Sequence, residues 1–149
     1  MRNEKYLIII LSLLFFISCS KTENTLTLIP DGYIGTIQIW FNQENGIEEK
    51  YEGEKRVYEI PENGILKTKF SPQFGYHFPE YYYVSKNGQR TKIQPILDLN
   101  KKVLDTIDKN KSYIYHIRSM GKGFEIDSLG IEKTFNDKGI IFEVGNPLN

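Results

Sequence analysis

A single cysteine, two histidines, one tryptophan and no excess of either charge leave few routes to chemistry in this 149-residue chain. One cysteine makes an internal disulfide impossible, and an exported protein that keeps a lone cysteine needs another reason for it. Two histidines are too few for a zinc site without carboxylate help. The 19 basic residues equal the 19 acidic ones, so no basic field is available to capture nucleic acid. The one long apolar run, Leu7 to Ile17 interrupted only by Ser12, falls short of the roughly 20 residues that span a hydrocarbon core.

That run follows Arg2 and Lys5 and ends on the small residue Ser18. A basic start, a short apolar stretch and a small residue describe a secretory signal, here residues 1–18. Phe16-Ile17-Ser18-Cys19 resembles the lipobox of bacterial lipoproteins, with Phe16 where leucine is commoner. The resemblance implies cleavage before Cys19, lipidation of Cys19 with palmitate-type chains, and a membrane partner reached through that lipid. Two or more acyl chains hold a protein firmly, at about 0.8 kcal/mol per buried methylene. The implied address is the cell envelope, at the outer membrane of a Gram-negative cell. Residues 19–25 then read as a polar tether, and 26–149 as one domain of ordinary size. Losing residues 1–18 removes Arg2, Lys5 and Glu4 and leaves a balance of −1.

The mature chain reads as strands. Leu26 and Leu28 alternate with threonines before the turn Pro30-Asp31-Gly32. Ile37, Ile39 and Phe41 occupy one face of the next strand, with Thr36, Gln38 and Trp40 on the other. Residues 55–60 and 65–70 flank Asn63-Gly64, and 81–84 and 89–94 flank Asn87-Gly88. Both dipeptides suit tight hairpin turns. Residues 112–118 and 139–144 add two further runs. Within 98–109, Val103, Leu104 and Ile107 have helical spacing with Asn100 as a cap, so one short helix near 100–108 competes with an irregular crossover. The fold class expected is all-β, a single antiparallel β-sandwich of Ig-like or transthyretin-like type.

The block Leu28–Gly35, the block Arg56–Thr68 and the closing Phe142–Pro147 resemble an uncharacterised family of bacterial domains with no assigned activity. That resemblance implies a relative and no function.

Nucleophilic catalysis needs a nucleophile, a base in reach and a group to orient the base. His77 lies in the aromatic segment Phe74-Gly75-Tyr76-His77-Phe78, His116 on a strand, and no Gly-x-Ser-x-Gly elbow occurs. Neither histidine reads as catalytic. Glu44, Glu48, Glu49, Glu52 and Glu54 read as a solvated acidic loop, and Gly121-Lys122-Gly123 as a turn rather than a phosphate loop. Carboxylates paired for sugar hydrolysis have no motif that marks them. No metal and no cofactor is expected. The remaining candidates are aromatic: Trp40, opposite the apolar stripe, and Tyr81 and Tyr83 on one face of their strand, as a ligand face for a protein or glycan partner. Burial of both strand faces would remove that face. The expected function is a non-enzymatic binding or structural module on the membrane. A glycan-binding accessory protein or small hydrolase for nutrient uptake is the alternative, and an inhibitor or chaperone-like partner of another envelope protein a third.

Overall fold

The computed structural model describes residues 22–73, 77–121 and 138–148, and the backbone alone of 123–126 and 132–135. The expected signal and Cys19 lie outside these residues, as do Phe74, Gly75, Tyr76 and Lys122 of the segments named above.

Among the described residues, eleven strands and one short helix follow one another: β1 (Thr25–Pro30), β2 (Gly35–Trp40), β3 (Tyr51–Glu52), β4 (Lys55–Glu59), β5 (Ile65–Lys67), β6 (Pro79–Val84), β7 (Arg90–Pro95), α1 (Lys101–Leu104), β8 (Tyr113–Met120), β9 (Gly123–Ile126), β10 (Glu132–Phe135) and β11 (Gly139–Gly145). The eight strand runs expected from alternation are present. The two-residue β3 and the β9–β10 hairpin were not anticipated. Asn100 caps α1 as its sequence position suggests, accepting from Val103 N at 3.0 Å.

The expected antiparallel sandwich is not the arrangement seen. Nine strands form a single mixed sheet in the order β3-β4-β1-β6-β7-β8-β11-β2-β5, with β9 and β10 paired separately. β1 runs parallel to both β4 and β6, β2 parallel to β5, and β7 parallel to β8. Alternation tells which side a residue faces and leaves open which strand it pairs with. The two Asn-Gly turns show the difference. Around Gly88 (φ +82°) β6 and β7 pair as the expected hairpin. Around Gly64 (φ +74°) they do not: β4 stays beside β1, while Gly64 O accepts from Gln38 N and β5 joins β2 at the far edge.

The sheet curls into a half-barrel, and ring contacts measure the curl. Tyr81 on β6 and Phe142 on β11 stand three strands apart, about 14 Å in a flat sheet, yet their ring centroids are 5.4 Å apart. Phe41, next to β2, meets Tyr58 of β4 at 5.9 Å although six strand spacings separate them along the sheet. The concave side therefore holds the main core, including Ile29, Ile37, Ile39, Ile114 and Val144. A second cluster of Leu26, Leu28 and Val57, with Tyr82 and Val84 against it, lines the other side. Both faces of β1 are thus buried: its leucines pack on one and Thr25 and Thr27 turn to the other.

Candidate functional site

Side chains of the described residues do not fill the concave side. A cleft of about 720 Å3 opens from it, within the ~300–1,000 Å3 usual for small-molecule sites. Strand register builds its walls. Tyr58, Thr27, Tyr81 and Ile93 form one row across β4, β1, β6 and β7, and the first three line the cleft on one side. Opposite them stand Ile39 on β2 and its register partner Ile140 on β11, then Phe142.

β8 reaches the cleft through a bulge. Register slips between Ile141 and Glu143, where His116 takes φ +52°. An extra residue reverses which side each following residue faces. Ile114 faces the core before it, and Ile117 and Ser119 line the cleft after it. The mouth carries Phe78 and Leu97, 73% and 87% exposed, together with Ile117, His77 and Arg118. Among the described residues no carboxylate lines the cleft.

Three residues with hydroxyls line this apolar space. Thr25, Thr27 and Tyr81 are 4%, 2% and 5% exposed, and because no fully buried side-chain oxygen among the described residues lacks a partner, a hydroxyl of theirs that makes no bond within the fold is open to the cleft. Tyr81 is pushed up to about 12 by burial alone. Tyr58 is pushed up to about 12 as well, by burial against an opposing pull from Arg56. Both stay neutral at physiological pH. Because their folded values exceed the ordinary value near 10, the unfolded chain loses these protons first. Their contribution is intact below pH ~10 and is lost as pH rises through about 12. An absorbance titration is expected to leave two tyrosines protonated at about pH 11, while denaturation midpoints fall between pH ~10 and ~12. Complete ionisation of every tyrosine by pH ~11 would contradict this.

The predicted aromatic face is not assembled. Trp40 is 4% exposed and Tyr81 5%, too little for a stacking platform of which either ring is part. Trp40 does lie away from the Ile37–Ile39 stripe, but its ring crosses Gly139, its register partner, and its Nε1 donates to Gln38 Oε1 at 3.2 Å. Tyr83 is half-buried and spends its hydroxyl on Tyr33 O at 2.8 Å. Of the three, Tyr81 alone reaches the cleft. His77 lies at the mouth, whereas His116 sits exposed in the bulge with its ring against Tyr115. The acidic loop is partly spent on ion pairs: Glu48 with Lys69, and Glu52 held by both Arg90 nitrogens at 2.8 Å. The Arg90 hydrogen bonds keep the Glu52 carboxyl below its ordinary range. No group of three or more metal-ligating side chains occurs among the described residues.

The N-terminal segment arrives at the mouth itself. Glu23 N donates to Gln73 Oε1 at 3.0 Å, and Gln73 Nε2 returns a bond to Glu23 O at 2.7 Å. Asn24 Oδ1 accepts from Phe78 N at 3.0 Å. Arg56 pairs with the Glu23 carboxylate and donates to Ser71 O, its guanidinium 4.9 Å from the Phe70 ring centroid. The last residue of the expected tether, Thr25, already belongs to β1.

The model of a family of unknown function (DUF6843) matches residues 21–135. The chain belongs to this family. The match covers the two sequence blocks up to Thr68 and stops before Phe142–Pro147. In fold, the chain is similar to the 2.75 Å crystal structure of a "Putative Lipoprotein from Bacillus anthracis", 24% identical, with TM-score 0.53 over 85% of this chain and 73% of that one. At that identity the likeness concerns the fold alone. No curated protein matches the chain.

Proposed function

We propose that the protein is a lipoprotein of the cell envelope, anchored through Cys19, whose domain is a non-enzymatic binding module working through the concave cleft. One observation carries this reading: the segment that follows the apolar run and Ser18-Cys19 enters the fold at the mouth of the cleft, between Gln73 and Phe78. From Cys19 to Glu23 the chain can extend about 14 Å at ~3.5 Å per residue. The mouth, with its exposed Phe78, is then held within a short reach of the bilayer. The description of the Bacillus anthracis neighbour as a lipoprotein agrees with anchoring. That bacterium is Gram-positive, so the likeness lends nothing to the outer membrane and the proposal is confined to the envelope.

A hydrolase built on paired carboxylates finds none among the described residues of this cleft, and no observation favours it. Metabolic labelling with a fatty acid tests the anchor. The wild-type protein is expected to take up label and sediment with membranes, and Cys19→Ala to lose both. Label retained by Cys19→Ala would overturn the proposal.

A further inference from the structure

We infer that the cleft takes a neutral, oxygen-bearing acyl lipid: its hydrocarbon lies against Ile39, Ile140 and Phe142, and its hydroxyl or carbonyl oxygens bond to Thr25, Thr27 and Tyr81. The inference rests on the cleft being the module's binding site and adds the class of ligand.

The two walls differ in chemistry. On the β2 and β11 side the lining is hydrocarbon and aromatic. On the β1 and β6 side it includes Thr25, Thr27 and Tyr81, largely buried residues whose hydroxyls are open to the cleft where they make no bond within the fold. Among the described residues no fully buried side-chain oxygen or nitrogen lacks a partner, so hydroxyls that make no bond within the fold are open to the cleft and can bond to oxygen atoms brought into it. Thr27 and Tyr81 are direct register partners, and Thr25 lies two residues before Thr27 on the same side, so they form one patch. An anion does not suit this patch. Burying a carboxylate or phosphate against hydroxyl donors alone leaves its charge uncompensated, and the cation on the lining, Arg118, is exposed at the mouth, where an ion pair is worth little. Source and entry follow from the same geometry. Phe78 and Leu97 leave apolar side chains exposed at the mouth, and Phe78 N donates to Asn24 near the start of the described chain, so a lipid leaving the bilayer would meet these side chains first.

The test uses the full lipoprotein in phosphatidylcholine vesicles. The probe is a monoacylglycerol with a diazirine in its acyl chain, and a fatty acid carrying the same diazirine is the comparison. After irradiation, peptide mapping is expected to place the monoacylglycerol label on residues 139–145 and 37–41. Tyr81→Phe and Thr27→Val should each lower that yield about fivefold, as expected for one lost hydrogen bond. Thermal stability without probe should stay level in both variants, because each removes a hydroxyl that opens onto the cleft; a structural role would lower it. Equal labelling by the fatty acid, unaffected by either substitution, would overturn the neutral-lipid assignment while leaving the cleft a binding site. Absence of label from the cleft with both probes would overturn the cleft reading as well.

Discussion

Replacing Trp40 with Ala is expected to destabilise the domain by about 3–5 kcal/mol, the usual cost of truncating a buried large aromatic side chain. The sequence puts Trp40 on the side of β2 away from Ile37, Ile39 and Phe41, where it is either part of a ligand face or buried under a second layer. The structure leaves it 4% exposed. The reason lies across the ladder: its partner on β11 is Gly139, and a Cβ there would come within 3.1 Å of Trp40 Cε3 and 2.7 Å of Ile39 O. Glycine supplies the floor on which the ring rests, and a large ring over a bare strand recovers packing that glycine cannot provide. Urea denaturation of wild type and Trp40→Ala measures the difference. A loss below ~1 kcal/mol, with red-shifted and readily quenched wild-type fluorescence, would return Trp40 to the surface.

Arg56→Ala is expected to cost about 2–3 kcal/mol. Its side chain is 12% exposed in its pair with Glu23. Removing it abolishes that pair, the bond to Ser71 O and the cation–π contact with Phe70 together. Arg56→Lys keeps the charge but not the planar fork, so it should recover only part of the loss. Lys50→Ala makes the contrast, because Lys50 and Glu59 are both more than half exposed and such pairs contribute ~0–1 kcal/mol. Hydrogen exchange at Glu23 and Asn24 should rise in Arg56→Ala and stay unchanged in Lys50→Ala. Equal stability losses in the two variants would refute the clamp.

Local readings came through where the signal is local. Alternation located β2, β6 and β7, and Asn100 marked the start of α1 from its own side-chain chemistry. Pairing did not come through, because it depends on strands distant in the chain. Asn63-Gly64 and Asn87-Gly88 look alike, and whether the next strand turns back on the last is decided by β2, which takes β5 as a neighbour. Alternation separates Thr25 and Thr27 from Leu26 and Leu28 without saying which face is the core; a second apolar cluster buries the leucines on one face and turns the threonines to the concave side. The bulge at His116, which brings Ile117 and Ser119 to the cleft, has no marker beyond the tolerance of histidine for positive φ. A cleft is a shortfall of side-chain volume across a curved sheet, and no residue spacing encodes it. Tyr81 was singled out for the right strand face and the wrong exposure.

A lipid-bearing Cys19 a few residues before the mouth of the cleft is tested most directly by the mass of the N-terminal peptide of the protein recovered from bacterial membranes. The prediction is a peptide that begins at Cys19 and carries a diacylglyceryl group on its sulfur. A peptide that begins elsewhere, or one with a free thiol at Cys19, would contradict it.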